Sequence, residues 1–265
     1  MAILPEISKA EREAFEKSRD YAAELEEMIR DSRRIVFFGG AGVSTESGIP
    51  DFRSADGIYS QKYGRLSPER IISRSFFDTA PAEFYDFYRD KLLYLDAKPN
   101  AAHLKLAELE RAGKDITIVT QNIDGLHQLA GSSKVIELHG SVLRNYCMHC
   151  MTSYSAEFIK NSKGVPRCMA EGCDGIVKPD VVLYEESLNS DDTMNAVRAI
   201  ESCDMLIIAG TSLVVYPAAG FVRYFRGKHS AIINLSESSR DSYMELVVHR
   251  KVGEVLGAID VSKCV

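Results

Sequence analysis

The chain has too little glycine and proline for a collagenous or low-complexity protein, and too little positive charge for a protein with a broad basic surface. It carries 18 glycines and 8 prolines among 265 residues, which excludes a collagenous or low-complexity chain, while 45% hydrophobic and 26% charged residues are typical of a globular protein. The formal net charge of −6 leaves no excess of lysine and arginine from which to build a broad basic face. We therefore expect neither direct nucleic-acid binding nor electrostatic attachment to a membrane.

The sequence also lacks a long unbroken apolar run. The first residues, Met1–Ala14, contain three glutamates. The longest uncharged run, the 18 residues Met205–Val222, is interrupted by Gly210-Thr211-Ser212 and Pro217. We expect neither a signal peptide nor a membrane-spanning helix. Six cysteines without an export signal indicate a reducing compartment, and the cytoplasm is the default expectation.

Short apolar runs alternate with helical patterns along most of the chain. Five runs have the length and composition of buried strands: Ile35–Phe38, Ile116–Val119, Val135–Leu138, Met205–Ala209 and Ala231–Leu235. Charged and apolar residues recur at helical spacing elsewhere, as over Ile7–Ile29 and His103–Ala112. Strands that alternate with helices predict an α/β fold with a doubly wound parallel sheet.

Two stretches interrupt this alternation. Between about residues 144 and 178, cysteine, glycine, proline and polar residues dominate, which predicts a small inserted module. Residues 48–99 are rich in aromatic residues and predict loops with short helices. We expect residues 1–143 and 179–265 to form one main domain, interrupted by the module at residues 144–178.

The first candidate site is Gly40-Ala41-Gly42, directly after the first predicted strand. Missing side chains let the backbone approach a pyrophosphate there, and a following helix N-terminus favours its charge. Thr45 stands where the usual dinucleotide fingerprint has its third glycine, so a tight structural turn is an equally good interpretation of these residues alone. After Gly48, a rigid turn places an acid, an aromatic ring and a guanidinium side by side, which favours a ligand site; these are Asp51, Phe52 and Arg53.

The second candidate is a metal site built from two pairs of cysteines. Cys147 and Cys150 are followed, after 17 intervening residues, by Cys168 and Cys173. Four thiolates at such spacing close a tetrahedral zinc site and leave no open position, so the zinc is expected to be structural. The alternative is four free or disulfide-bonded cysteines. Loop-rich sequence without a core of its own favours the metal.

The third candidate comprises the polar residues that end the predicted strands. His139 follows one strand, Gln121-Asn122-Ile123-Asp124 another, and Gly210-Thr211-Ser212 and Asn234 two more. Ligands of such folds bind at the carboxyl edge of the sheet, where an imidazole can act as a general base. A lone histidine is often structural, but the amides and carboxylate beside it suit ribose hydroxyls and a carboxamide. We expect one nucleotide site at this edge.

These residues resemble the sirtuin family in motif order over roughly residues 25–260. The motifs are Gly40-Ala41-Gly42-Val43-Ser44, Ser47-Gly48-Ile49-Pro50-Asp51-Phe52-Arg53, Thr120-Gln121-Asn122-Ile123-Asp124-Gly125-Leu126-His127, His139-Gly140, the cysteine pairs and Gly210-Thr211-Ser212-Leu213. The resemblance implies an NAD-dependent protein lysine deacetylase that releases nicotinamide and O-acetyl-ADP-ribose. It also implies a Rossmann-like NAD-binding domain and a zinc-ribbon module, with an acyl-lysine protein or peptide bound in the cleft between them.

The resemblance further implies roles for single residues. His139 would be the general base on the NAD ribose hydroxyls, with Gln121 bound to that ribose, and Asn122 and Asp124 would hold the nicotinamide. Residues implied to contact the cofactor are Gly40, Ala41, Gly42, Ser44, Asp51, Phe52, Arg53, Gln121, Asn122, Ile123, Asp124, Gly210, Thr211, Ser212, Asn234 and Leu235. Zinc would be bound by Cys147, Cys150, Cys168 and Cys173.

Two positions depart from the family pattern. The substrate-facing segment, Val181–Glu186, has Glu185 where the family usually has glycine, and its partner edge would be Leu213–Pro217. If its carboxylates line the peptide path, we expect a preference of up to about fivefold for basic peptides; a solvated outer turn is the alternative. Members that prefer acidic acyl groups have arginine three residues after a tyrosine, whereas here Tyr88 follows Tyr85 and Arg89 comes one place later. We therefore expect acetyl-lysine to be preferred over succinyl-lysine.

Two other functions use the same sequence features. A mono-ADP-ribosyltransferase would use the same NAD site but direct attack by a protein side chain. A non-catalytic zinc-ribbon interaction protein would retain only the nucleotide fold, and the low basic charge together with His139 argues against it.

Overall fold

The structure, a computed structural model, describes residues 19–60 and 66–265. Its centre is a six-stranded, wholly parallel sheet in the order β3-β2-β1-β7-β8-β9. The strands are β1 (Arg34–Gly39), β2 (Asp115–Thr120), β3 (Val135–Glu137), β7 (Met205–Ala209), β8 (His229–Ile233) and β9 (Leu246–Val248). The strand order reverses beside β1, so the loops after β1, β2 and β7 meet at one edge.

Helices cover both faces of this sheet. The helices are α1 (Tyr21–Arg30), α5 (Ala101–Arg111), α6 (Leu126–Ala130), α8 (Ser190–Ser202) and α9 (Val252–Gly257). Side chains of β1 alternate between two apolar clusters, because successive residues of a strand point to opposite faces. Ile35 and Phe37 pack into the cluster with Leu256 of α9, and Val36 and Phe38 pack into the cluster with Ile200 of α8. Both faces are therefore buried, as the unbroken apolar runs predicted.

A second, antiparallel sheet of three strands forms a separate layer. Its order is β5-β4-β6, with β4 (Gly140–Cys147), β5 (Ser153–Tyr154) and β6 (Val177–Val181), and it carries the helix α7 (Ala156–Asn161). The predicted module boundaries at 144 and 178 fall inside β4 and β6, so these two strands extend beyond the module on both sides. The division into domains stays a prediction.

The aromatic stretch before residue 99 forms three short helices, α2 (Pro68–Ile71), α3 (Arg74–Thr79) and α4 (Pro81–Lys91). The hydroxyls of Ser67 and Ser73 cap the first two by accepting backbone N–H groups. Aromatic residues of this stretch share an apolar cluster with residues of the second sheet; the cluster includes Phe77, Phe84, Tyr85, Tyr88, Val142, Val177 and Val181. The predicted insertion therefore packs against the cysteine-containing layer.

The predicted strands agree with the structure to within one or two residues at most ends, and Leu235 lies beyond the end of β8. The strand β9 was missed because three residues flanked by charged ones give little periodic signal. Of the helix expected over Ile7–Ile29, the structure shows Tyr21–Arg30, which begins after the N-cap Asp20, so it is not continuous through residues 19 and 20. Residues 7–18 lie outside the described residues. Within the described residues, no helix is long and apolar enough to cross a membrane.

Candidate active site

The glycine loop, Gly40–Ser44, packs directly against the loop after β7. The amide of Gly40 donates to Ala209 O at 3.0 Å, and that of Gly42 donates to Gly210 O at 2.8 Å. A Cβ on Gly42 would lie 2.8 Å from Gly210 Cα, so no side chain fits there. Gly210 itself has φ +59°, which favours glycine. The close contact between the two loops thus explains why these positions are glycines. Because they have no side chains, backbone atoms form the surface of the protein at this edge of the sheet.

A chain of polar side chains joins the glycine loop to the loop after β2. Asn122 Nδ2 donates to Ser44 Oγ at 2.9 Å, and Ser44 Oγ donates to Asp124 Oδ2 at 2.7 Å. Asp124 Oδ1 accepts from the Leu126 amide at the start of α6. Asn122 and Ser44 are buried. The structure therefore brings together three residues that the sequence placed on two separate motifs, and Ser44 bridges the other two.

His139 is oriented by a backbone carbonyl. Its Nδ1 lies 2.9 Å from Gln121 O, and because a carbonyl only accepts, Nδ1 carries the proton and Nε2 holds the lone pair. Burial lowers the pKa of His139 below its usual 6.5, and the hydrogen bond to Gln121 opposes this only in part. The imidazole is accordingly neutral near pH 7, with Nε2 able to accept a proton. Gln121 Nε2 donates to Thr211 Oγ1 at 3.2 Å, which ties this group to the loop after β7.

The remaining strand-end residues divide into one anchor and two exposed positions. Asn234 accepts from the Thr211 amide at 2.9 Å and donates to Thr211 O at 3.1 Å, and it is buried. It thereby fixes the loop after β7 against the end of β8. Ser212 is exposed, and Leu235 is 67% exposed.

The turn after Gly48 is held by Asp51. Its Oδ1 accepts from the amides of Arg53 and Ser54, at 3.0 and 2.8 Å. The Arg53 guanidinium lies 5.4 Å from the ring centroid of Tyr59. In this structure Asp51 shapes the turn, and the exposed Arg53 is the charged group that the turn presents.

The four predicted metal ligands converge. The Sγ atoms of Cys147, Cys150, Cys168 and Cys173 all lie within 4.8 Å of one another. Two of the Sγ pairs are 3.5 and 3.6 Å apart, close to the ~3.8 Å expected for thiolates around tetrahedral zinc and far above the ~2.05 Å of a disulfide. All six cysteines are free thiols, and Cys203 is buried as an apolar residue. A Cβ on Gly175 would lie 2.6 Å from Cys147 Sγ, so glycine gives this thiol its space. The donor set fits a closed zinc site.

Both acids of the substrate-facing segment are already bonded within the protein. Glu185 accepts from the amide and hydroxyl of Ser75, at 2.9 and 3.0 Å. Glu186 accepts from the Leu183 amide at 2.8 Å and contacts Lys178 and Arg74. Both carboxylates therefore have partners within the protein, which weakens the argument for a preference for basic peptides. The preference itself stays a prediction.

The Arg89 guanidinium is hydrogen-bonded within the second layer and also lies 5.4 Å from the ring centroid of Tyr85. It donates to Ile159 O and Ser162 Oγ, both at 2.9 Å, and also to Gly164 O, all in the second layer. Tyr85 and Tyr88 are fully buried beside it. These contacts of Arg89 support the expected preference for acetyl-lysine, which stays a prediction.

A pair of buried histidines was missed by sequence reasoning. The rings of His103 of α5 and His127 of α6 pack against each other with their centroids 4.6 Å apart and their planes tilted by 56°, and both residues are buried. Burial lowers the pKa of each, with Asp124 partly opposing this for His103. Their separation of 24 positions along the chain carries no periodic signal, although His127 ends the motif that contains Asn122 and Asp124.

The fold and the site define a Rossmann-like α/β protein with polar strand-end residues at one sheet edge and a four-cysteine cluster consistent with a zinc-binding site. The sequence model of the Sir2 family matches residues 40–217. The chain belongs to the Sir2 family.

Relatives of known name and structure agree with this membership. The chain is 57% identical to an NAD-dependent protein deacetylase of Clostridium perfringens, across 91% of this chain and 98% of that protein. It is 42% identical to a protein of the same name from Staphylococcus aureus strain N315, across 89% and 96% of the two chains. The solved structure "Sir2-p53 peptide-NAD+" is similar with a TM-score of 0.77 and 40% identity, covering 88% of this chain and 94% of that one. "Sir2 bound to acetylated peptide" gives 0.76 and 38%, with the same coverage.

Proposed function

We propose that this chain is an NAD-dependent protein lysine deacetylase that transfers the acetyl group of acetyl-lysine to the ADP-ribose part of NAD. The reaction consumes one water molecule, and its products are the free lysine, nicotinamide and O-acetyl-ADP-ribose. The observation that carries the proposal is His139, fixed by Gln121 O as a neutral base at the edge where the glycine loop and Asn122 meet. The Clostridium relative of the same family bears the name of this activity.

The side chains at the sheet edge fit NAD. The Ser44–Asn122–Asp124 chain offers amide, hydroxyl and carboxylate groups, which match the donors and acceptors of a carboxamide. We assign the nicotinamide to Asn122, Ile123 and Asp124. The phosphates and the adenosine half are assigned to the two loops after β1 and to the ends of β7 and β8, at Gly40, Ala41, Gly42, Asp51, Phe52, Arg53, Gly210, Thr211, Ser212, Asn234 and Leu235.

His139 acts in this mechanism as the proton acceptor. When bound, NAD supplies an electrophilic sugar carbon from which nicotinamide can leave. With Nδ1–H held by Gln121 O, Nε2 of His139 is the atom that takes a proton from a ribose hydroxyl, and the Gln121 amide orients that ribose. The lowered pKa of His139 keeps Nε2 unprotonated at neutral pH. No protein nucleophile is needed, because positioning and exclusion of water supply the catalysis.

The acyl-lysine substrate is assigned to the groove between the substrate-facing segment and Leu213–Pro217. The Val182 amide donates to His139 O at 3.0 Å, so this edge is fixed relative to the base. A peptide that pairs its backbone with such an edge brings its acyl-lysine beside His139. Zinc, held by the four cysteines, stabilises the second layer and takes no part in the chemistry, since four thiolates leave no open position. We propose the cytoplasm as the compartment, because free thiols and a thiolate metal site persist under reducing conditions.

The test is incubation of the purified protein with NAD and an acetyl-lysine peptide, with nicotinamide release and peptide mass followed together. We expect nicotinamide release matched by loss of acetyl from the peptide. Gain of ADP-ribose on the peptide or protein would replace the proposal with mono-ADP-ribosyl transfer. Absence of both changes from zinc-loaded, folded protein would leave a non-catalytic binding protein. His139→Ala is the matched negative control.

A further inference from the structure

The substrate-facing segment is bonded to residues far from it in the sequence at both of its ends. Near its start, the Val182 amide donates to His139 O. Further along, the Tyr184 amide donates to Ile72 O at 3.0 Å, and the Arg74 amide donates to Tyr184 O at 2.9 Å. The segment therefore runs from the proposed base to the junction of α2 and α3, and its position depends on both attachments.

Glu185 strengthens the attachment of this segment to α3, although its own backbone has an unfavourable conformation. Its φ is +75°, in the left-handed region that favours glycine. Its carboxylate accepts from both the amide and the hydroxyl of Ser75, in the first turn of α3. Charge-assisted hydrogen bonds of this kind compensate the strained backbone. A residue without the carboxylate but with a Cβ would keep the strain and lose the bonds.

Tyr184 connects the segment to the loop that carries Arg53. Its hydroxyl lies 2.7 Å from the hydroxyl of Tyr59. The Tyr59 amide donates to Phe52 O at 2.9 Å, and its ring lies against the Phe52 ring and the Arg53 guanidinium, with centroid distances of 5.4 Å. Burial raises the pKa of Tyr59, so its hydroxyl stays neutral. One hydrogen bond thus joins the proposed peptide edge to the proposed cofactor loop.

We propose that Tyr184 and Glu185 are positioning residues that hold the substrate-facing segment against Ser75 and Tyr59 and thereby couple peptide binding to cofactor binding. This inference rests on the proposed function. Glu185 acts through Ser75 and not through contact with the peptide. Through its hydrogen bond to Tyr59, Tyr184 makes the position of the substrate-facing segment depend on the position of the loop that carries Arg53.

Three substitutions at Glu185 separate strain from bonding. Glu185→Gly removes the carboxylate and the backbone strain together, so we expect the KM for an acetyl-lysine peptide to rise about 2- to 10-fold with kcat nearly unchanged. Glu185→Ala keeps the strain, and its KM should be about fivefold higher again. Glu185→Gln, whose amide oxygen still accepts from Ser75 N–H, should restore most of the wild-type KM. Ser75→Ala, which retains the backbone amide, should have a smaller effect than Glu185→Ala.

The coupling is tested by binding, without turnover. Affinity for the acetyl-lysine peptide is measured with and without ADP-ribose in wild type, Tyr184→Phe, Tyr59→Phe and the double variant. We expect ADP-ribose to improve peptide affinity in wild type, and each single variant to lose about 2- to 10-fold of that improvement. The double variant should lose no more than either single one, because both remove the same hydrogen bond.

Other results would overturn the inference. A fall in melting temperature with unchanged peptide KM in Glu185→Ala would make Glu185 merely structural. A changed preference between basic and acidic peptides in Glu185→Gly would mean that Glu185 contacts the substrate. Equal improvement by ADP-ribose in all four proteins would remove the Tyr184–Tyr59 link. If wild type releases no nicotinamide with the peptide, the proposed function fails, while the binding experiment still decides the coupling.

Discussion

The six-stranded layer and the four-cysteine layer are stabilised in different ways. The large sheet buries apolar side chains on both faces, and its central strands pair on both sides. The smaller layer has a two-residue strand, one six-residue helix and its four thiols gathered within 4.8 Å. Burial of apolar surface supports the first, whereas bonds to a metal complete the second. Disturbing one layer should therefore leave a different signature from disturbing the other.

Removing the metal should have the largest effect and should break the smaller layer first. Cys168→Ser is expected to lose zinc and all deacetylation, because apparent zinc binding worth about 10–16 kcal/mol is also folding free energy of such a module. Metal content, amide hydrogen exchange and activity are measured together, with Cys203→Ser as the control for a buried cysteine outside the cluster. Full activity in metal-free Cys168→Ser would show that the smaller layer folds on apolar contacts alone.

The larger layer should instead be sensitive to protonation of its buried histidines. Burial lowers the pKa of His103 to about 4. As the pH falls from 6.5 towards 4, this histidine is therefore protonated in the unfolded chain but stays neutral in the folded chain. The free energy of unfolding is therefore unaffected by the titration of His103 above pH 6.5, and it falls by about 3 kcal/mol as the pH drops from 6.5 to 4. His103→Gln keeps an N3 side chain able to complete the cap with Asn100 but does not titrate.

This difference is measured as the free energy of unfolding by denaturant at pH 7, 6 and 5 in both proteins. Wild type should lose stability more steeply than His103→Gln. His249→Gln, at an exposed histidine, serves as the control for replacing a histidine by glutamine. Parallel pH profiles for all three proteins would show that His103 does not contribute to the pH dependence of stability in this range.

At the sheet edge, chemistry and stability should separate. His139→Ala is expected to lower kcat by about 100-fold while the melting temperature and NAD affinity stay close to wild type, because the imidazole is placed by one backbone carbonyl. In wild type, kcat/KM should fall only below pH 6.5, since protonation of Nε2 is delayed by the lowered pKa. Near-normal turnover in the folded variant would remove His139 from the proton transfer.

The smallest expected effect concerns the acyl group, where the two layers meet. Acetyl-lysine should be processed about tenfold more efficiently than succinyl-lysine, because Arg89 is bonded to Ile159, Ser162 and Gly164 and leaves the terminal carboxylate of the succinyl group unpaired. Catalytic efficiencies on matched peptides test this, with Arg89→Lys as the comparison. A succinyl preference that disappears in Arg89→Lys would show that Arg89 leaves those partners to bind the acyl group.

Much of the scaffold followed from local sequence. The strand at Ile35–Phe38 could be predicted because four consecutive apolar residues before a glycine turn suit a strand buried on both faces. His139 and Asn122 could be placed at one edge because parallel strands end on the same side. The four cysteines could be grouped because their spacing reflects the geometry of the metal, which the chain must satisfy wherever it folds.

The sequence by itself thus determined five of the six strands of the large sheet, the polar residues at their ends and the grouping of the four cysteines, since each depends on short-range periodicity or spacing. Only the tertiary structure decided what the long side chains do. Glu185 could line the peptide path or bond elsewhere, and Arg89 could reach the acyl group or not; the choice depended on where Ser75 and Ile159 lie in space. The contact between His103 and His127 could not be predicted for the same reason. Side-chain partners more than one helical turn apart are fixed by packing, and no local pattern encodes them.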